Sequence, residues 1–389
     1  MRHAKSPAAA GVRFLHTADL QLGKPFHSIP DDAGAKLRER RLDAIDALGK
    51  VARDHKADFV VVAGDFFDAN TATDRLVQQV LLRIQQAGIP FVVLPGNHDH
   101  AGTGSVYARP SFRNACPKNL TVLLRREPVV VLGGRAVILP APLYRQRELG
   151  DPTAHLTPNF GHQEAPEAIR IGVAHGSLLD VGRDVDGRAS NLIPRDRAAR
   201  GAIHYLALGD WHGMKQVSER AWYSGTPEPT GFRQNEPGFA LMVEIAAAGA
   251  SPRVQSIHVA TTRWLEHRMT VCLGEDVQQL AAWFEALEAP QDVVVHLDVE
   301  GALPRAEMDR LEHLLQSMSH RLLHLKLSSS VRGSLTEDDF RDIAVDGAVR
   351  ATVDRLRALA ASSAPGAGAA DRALHTLHRL ALTQGDSSC

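Results

Sequence analysis

Polar residues of the metal-ligating types follow one apolar run after another in this sequence. VRFLHTADLQ delivers Asp19 and Gln21, FVVVAGDFFD delivers Asp65 and Asp68, and FVVLPGNHDH delivers Asn97, His98 and Asp99. IRIGVAHG brings His175, and YLALGDWHG sets Asp210 and His212 two positions apart. Carboxylates, a carboxamide and imidazoles are the donors that divalent cations take. Alone, each piece has an ordinary structural reading. Asp after Gly is a common turn or N-cap residue, Gly-Asn favours a hairpin turn, and an isolated His such as His175 is more often a satisfied core residue. Repetition of one placement, always just past a buried-type run, makes coincidence a poor explanation.

The elements that must position these residues are legible in outline. From Val12 to about Phe91, runs such as DFVVVAGD and IPFVVLPG alternate with the helical stretches AKLRERRLDAIDALGKVARDHKA and DRLVQQVLLRIQQAG. That rhythm predicts βαβ units and a largely parallel sheet covered by helices. Ligands gather outside the carboxyl ends of such strands, so residues far apart in sequence converge there. From Asn119 to about Ala260 the segments shorten and turn β-rich, and are expected to complete a second sheet packed on the first. The polar stretch from His155 to Gly201 reads as loops over a site. After Thr261 a strand, helix, strand, helix, strand pattern predicts a small α/β domain. Beyond it come a helical stretch (EDDFRDIAVDGAVRATVDRLRALAA), a linker (ASSAPGAGAAD) expected to be flexible, and a short amphipathic helix, DRALHTLHRLAL.

Composition bounds the function classes. A chain of 389 residues with net charge -1 carries no long basic block, so contact with nucleic acid must come from a local patch or a partner. Three cysteines, Cys116, Cys272 and Cys389, are too few and too scattered for a disulfide framework or a cysteine zinc site, and a reducing cytoplasm is expected. MRHAKSPAAAG lacks the apolar region of a signal peptide, and no uncharged apolar run reaches the roughly 18 residues of a membrane span.

The order D-x-Q, GD-x-x-D, GNHD, H-G and GD-x-H resembles the calcineurin-like metallophosphoesterases, whose usual pattern is D-x-H, GD-x-x-D, GNH-D/E, H and GH-x-H. FLHTADLQLGKPF, YLALGDWHG and YSGTPEP resemble in particular the bacterial DNA-repair exonuclease branch, the SbcD type. The likeness covers roughly residues 12 to 260 and extends loosely beyond. It implies a layered α/β sandwich of two sheets flanked by helices, with a disordered tail over 1–11, a catalytic domain over 12–263, a small α/β capping domain over 264–330 and a helical region over 331–389.

Carried over residue by residue, the resemblance has Asp65 bridge two divalent ions. Asp19 and His212, with Gln21, would hold the first, and Asn97, His175 and Asp210 the second. His98 would sit near the scissile phosphate as acid or charge stabiliser, with Asp99 and Asp68 orienting it and the ligands. The reaction implied is phosphodiester hydrolysis by water, and Ser177 is read as a loop residue with no nucleophilic role. This sequence departs from the pattern twice, with Gln21 and Asp210 where the family usually has histidines. Whether Gln21 ligates directly or hydrogen-bonds a water of the site stays open. Three carboxylates and an amide oxygen beside only two imidazoles favour hard ions, so Mn or Mg is expected over Zn.

DNA is the expected substrate, with Lys24, Arg145 and Arg233 as candidate phosphate contacts near the site loops. Two rivals are kept: an enzyme acting on nucleotides or other small phosphoesters, and a non-catalytic scaffold with a degenerate metal site. The branch also implies a coiled-coil, SMC-like ATPase partner (SbcC type) and a homodimer, with the Asp338–Ala361 helix available to either.

Overall fold

A computed structural model describes residues 11–178, 190–232, 236–333 and 347–362, with separate positions between 364 and 377. Its first sheet grows from the apolar runs. β1 (Val12–Thr17), β2 (Phe59–Ala63), β3 (Phe91–Leu94) and β4 (Leu120–Val122) lie side by side in parallel. Parallel neighbours need a crossover, and α1 (Asp31–Asp54) and α2 (Asp74–Ala87) supply two of them. The Thr73 hydroxyl accepts the Leu76 N–H to start α2, and Gly88, at φ 65°, ends it in the left-handed conformation. Both helices press apolar stripes onto one face of the sheet, where Ile45, Leu48, Val77 and Ile84 meet Leu15, Val60, Val62 and Val93.

A second six-stranded sheet is built from β5 (Val129–Val131), β6 (Ala136–Ala141) and β7 (Ile169–His175), with strands that follow a two-stranded pair, β8 (Ser177–Leu178) and β9 (Leu192–Ile193). Those later strands are β10 (Tyr205–Gly209), β11 (Lys215–Ser218) and β12 (Ala221–Tyr223). Its inner face packs on the first sheet, with Ile138, Ile171, Val173 and Tyr205 against Phe14, Val61, Val92 and Leu241. Phe14 stacks on Phe59 at 5.3 Å and meets Tyr205 edge-on at 5.5 Å. The layer is dry enough that burial lowers the pKa of His16 to about 3, and its Nδ1 meets the Tyr205 hydroxyl at 2.9 Å.

Two expectations are corrected. Of the β-rich segments after Asn119, β4 joins the first sheet, as do β13 (Phe239–Ile245) and β14 (Arg253–His258). β13 runs antiparallel to β1 from Val12↔Ile245 to His16↔Leu241, pairing the backbone edge of β1 that β2 leaves open. The stretch from His155 to Gly201 is also partly core, since Leu156, Ala165, Ala168 and Ile193 are buried under the outer face of the second sheet. Residues 179–189 of that stretch lie outside the described residues. Two single-turn helices, α3 (Pro110–Arg113) and α4 (Arg197–Arg200), complete this part.

The chain divides into two compact units, Met1–Trp264 and Leu265–Cys389. In the second, β15 (Arg263–Val271), β16 (Val293–Leu303) and β17 (His324–Gly333) form a three-stranded sheet with β16 central. Helices α5 (Gly274–Glu285) and α6 (Arg305–Arg321) bury Leu280, Phe284, Leu311 and Met318 against Val295, Leu297 and Val299. A further helix, Gly347–Ala360, packs Val353, Leu356 and Ala360 on Leu374 and Leu377. The expected flexible linker contains a turn, with the Ala369 and Ala370 N–H groups both bonded to Gly366 O. Positions 338–346 of the expected long helix lie outside the described residues. Among the described residues, no helix is long and apolar enough to cross a membrane.

Candidate metal centre

β1, β2 and β3 of the first sheet and β7 and β10 of the second end at one seam, and the polar residues of the strand-end motifs meet there. The chain leaves the strands through left-handed turns at non-glycine residues, with φ 55° at Asp19, 42° at Gln21, 49° at Asp65 and 102° at Asp210. Such residues cost on the order of 1–3 kcal/mol each and cluster where function fixes them. The glycines of the motifs provide clearance. A Cβ on Gly64 would stand 2.1 Å from His175 Nδ1, one on Gly96 2.2 Å from Asp65 Oδ1, and one on Gly209 2.0 Å from Ala63 O. Gly64→Ala adds strain at φ +97° to that overlap. It is expected to cost roughly 3 kcal/mol or more and to displace His175. Melting temperature and metal content would check it, and a Gly64→Ala protein that keeps both refutes this account.

The ligand atoms of Asp19, Asp65 and His175 lie within 4.8 Å of one another, and all three residues are buried. His175 donates Nδ1–H to Ala63 O at 2.9 Å, which leaves Nε2 facing oxygens. Asn97 Oδ1 lies 2.8 Å from that nitrogen, Asp65 Oδ1 3.5 Å and Asp210 Oδ1 3.9 Å. Three oxygens around one ring nitrogen mark a place where a cation fits. Burial alone would lower the His175 pKa, but Asp65, Asp19 and Asp210 overcome it and lift it to about 9. Asp19, which accepts Asp210 N–H at 3.1 Å, is pushed up to about 8 by burial, with Asp65 and Asp210 adding to the rise. His212 Nε2 stands 4.0 Å from Asp19 Oδ1 and 3.4 Å from Gln21 Nε2. Burial, then the nearby Arg41, holds its pKa down at about 4, so the ring stays neutral and able to ligate. The donor set therefore fits divalent cations, whose charge would relieve the crowding of carboxylates.

These shifts fix a pH dependence for the metal-free protein. Asp19 and His175 have raised pKa values, so the folded chain keeps protons that the unfolded chain releases, and stability falls as pH rises through the folded values. His212 is lowered and acts with the opposite sign, but only between about 4 and its ordinary 6.5. Above pH 6.5 the two raised groups act together, so the melting temperature in chelator is expected to fall up to about pH 9 and to fall less with Mn present. Parallel melting series with and without Mn test this, and a flat series in chelator contradicts it.

The remaining expected residues fall in different places. His98 lies beside Asp65, its N–H bonded to Asp65 Oδ1 at 2.9 Å and its Nε2 3.9 Å from Oδ2. Its Nδ1–H is held by the backbone carbonyl of Asp68 at 2.8 Å, while the Asp68 carboxylate faces Lys24 at 3.5 Å. Lys24 also reaches the Gln21 carbonyl at 3.3 Å, so Gln21 turns its oxygen to Lys24 and its amide nitrogen to His212. Asp99 accepts Gly96 N–H at 2.7 Å, Phe67 N–H at 3.0 Å and the Tyr107 hydroxyl at 2.5 Å. It ties the loops after β2 and β3 together, and burial with Asp65 nearby raises its pKa to about 6. Arg145 is exposed on its loop, and Arg233 lies outside the described residues.

Sequence reasoning missed several supports. Arg41, buried on α1, donates to the carbonyls of Asp19 at 2.9 Å, Gln21 at 3.3 Å and Glu228 at 2.8 Å, and also to that of Leu20. It clamps the turn that carries Asp19. A signal existed, because Arg41 lies on the stripe of Leu37, Ile45 and Leu48 where an apolar residue is expected. Glu228, from the YSGTPEP stretch, accepts Thr261 N–H at 3.0 Å and is raised to about 7 by burial. The Thr226 hydroxyl is placed between Asp19 O at 2.9 Å and Glu228 O at 2.8 Å. Ser177 donates to Asp210 Oδ2 at 2.6 Å, fixing that carboxylate from outside the cluster.

Two facing sheets that carry an acidic, histidine-bearing centre at their carboxyl ends define a metal-dependent phosphoesterase architecture. The chain belongs to the calcineurin-like phosphoesterase family, whose model matches residues 12–243. It is 25% identical to the SbcD component of the nuclease SbcCD from Escherichia coli K12, over 90% of this chain and 93% of that one. The SbcD component from Bacillus subtilis 168 is 26% identical, over 61% and 66%. A DNA double-strand break repair protein Mre11 from Methanosarcina mazei is 39% identical over 89% of this chain, which spans 54% of that relative.

Proposed function

We propose that this chain is a metal-dependent DNA nuclease of repair, hydrolysing phosphodiester bonds with Mn or Mg. The observation that carries the reading is the position of Asp65. Its carboxylate lies within 4.8 Å of the ligand atoms of both Asp19, which would serve one cation, and His175, which would serve the other, as a shared ligand would require. Asp19, His212 and Gln21 would hold one ion, and Asn97, His175 and Asp210 the other. When bound, the ions supply the positive charge that activates a water and offsets charge on the phosphate.

The chain's own residues do the rest. His98, its Nδ1–H tied to Asp68 O, turns Nε2 towards the site, where in the imidazolium form it gives the Nε2 proton to the leaving oxygen and is left neutral. Lys24 binds a phosphate oxygen of the strand in place of its present contacts. Ser177 holds Asp210 in the orientation to ligate, and Asp99 with Tyr107 keeps the loop that carries Asn97 and His98 in register. The names of the relatives favour DNA over small phosphoesters. By analogy with one component of a two-component nuclease, a coiled-coil ATPase or a second copy would dock on the terminal helical region, where Val349 and Leu359 are exposed.

Digestion of end-labelled single- and double-stranded DNA with Mn, Mg and Zn in separate reactions tests the reading. Activity with Mn or Mg and little with Zn is expected. Strong activity with Zn alone overturns the metal assignment, and no cleavage by the metal-loaded protein overturns the nuclease.

A further inference from the structure

Trp211 sits in the chain between Asp210 and His212, whose side chains turn inward to 3.9 Å from His175 Nε2 and 4.0 Å from Asp19 Oδ1. Its own side chain is 41% exposed, whereas Tyr107, Tyr205 and Tyr223 of the same unit are buried. Lys215 Nζ covers one side of the indole at 4.7 Å from the ring centroid. Cation–π contact of this kind holds a ring in one orientation. An exposed indole beside a phosphodiester centre is a feature that can stack an unpaired base.

We propose that Trp211 is the stacking platform for one unpaired nucleobase of the DNA strand at the cleavage point, with Lys215 behind it contributing charge to the adjoining phosphate. This rests on the nuclease reading above and adds to it a preference for bases free of a duplex. Neighbouring Cα atoms are about 3.8 Å apart, so the indole is anchored one residue from two of the groups that would hold the ions. A nucleotide whose phosphate lies in the centre presents its base to the ring without bending the backbone away. Stacking tolerates any base, so the platform confers no sequence preference.

The test compares the whole protein with Trp211→Ala and Trp211→Phe on two single-stranded oligonucleotides of equal length. One carries normal bases and the other is abasic over the cleaved segment. The wild type is expected to show a KM roughly tenfold lower for the normal oligonucleotide. In Trp211→Ala that ratio falls to about one, and Trp211→Phe restores most of it. Quenching of tryptophan fluorescence by the normal oligonucleotide is expected in the wild type and lost in Trp211→Phe. A wild type that cleaves both oligonucleotides with equal KM, or a Trp211→Ala protein that keeps the ratio, overturns the platform and leaves the nuclease intact. A wild type that hydrolyses a small aryl phosphodiester but neither oligonucleotide overturns the nuclease reading, and the platform with it.

Discussion

Asp65→Asn is expected to lower metal-dependent phosphodiester hydrolysis by on the order of 10³-fold or more while leaving the metal-free protein about as stable as the wild type. The substitution keeps the shape of the side chain and its acceptor for His98 N–H, which lies 2.9 Å from Oδ1. What it removes is the charge. Asp65 repels the Asp19 carboxylate and attracts the His175 imidazolium, which raises both pKa values, so without a cation its effects on stability oppose each other. Replacing it should move the chelator-treated melting temperature by no more than a few degrees, about 1 kcal/mol, and abolish most of the rise that Mn gives the wild type. A large loss of activity with little change in metal-free stability distinguishes a ligand from a merely structural residue. A variant that loses activity together with metal-free stability would point to misfolding, and one that keeps full activity would remove Asp65 from the centre.

Arg41→Met is expected to cost about 3–5 kcal/mol, the largest stability effect of any single side chain considered. Arg41 is 2% exposed and donates to the carbonyls of Asp19, Leu20, Gln21 and Glu228. A thioether fills much of the volume but takes the guanidinium donors away from those oxygens in a dry setting, and leaves Glu228 without its nearby charge. Because Asp19 and Gln21 hold left-handed conformations only while the turn is clamped, metal affinity should fall along with stability. Arg41→Lys is expected to restore little, since a single ammonium cannot reproduce the fork that reaches from one turn to the other. Lys50→Met, at a 72% exposed side chain on the same helix, serves as control and should stay within about 0.5 kcal/mol. Thermal melting of the three variants decides the matter, and an Arg41→Met protein as stable as the control contradicts it.

The contrast between Asp65 and Arg41 shows which parts of the site can be read without a structure. In a sheet covered on both faces the strands must be apolar, so the first polar residues past FVVVA and FVVL mark the carboxyl edge almost by default. Asp19, Asp65, Asn97, His175, Asp210 and His212 are legible for that reason. The contacts of Arg41 span separations from 20 residues to Gln21 up to 187 to Glu228, and nothing local specifies them. Ser177 is illegible for the same reason, 33 positions from the carboxylate it holds. Among the strands, a period of two tells which face a residue takes but not which sheet the strand joins. FALMVEI and RVQSIHVA therefore look like members of the nearer sheet in sequence and belong to the farther one. The covering stretch around Leu156 misleads through its polar composition, because only a few apolar side chains in it do the burying.

The return of β13 to the edge of β1 also orders events during synthesis. β1 leaves the ribosome more than 200 residues before its antiparallel partner, which spans Phe239–Ile245. At about 5–20 residues per second, β1 waits roughly 10–50 s with one backbone edge unpaired. Until then the nascent chain exposes a strand of the kind that recruits other strands. Asp19 lies directly beyond that strand, so the cation centre cannot close before the second sheet has been made and the chain has come back. Metal uptake is thereby tied to the completion of the double sheet, and a ribosome stalled before Phe239 would hold an aggregation-prone chain with no working centre.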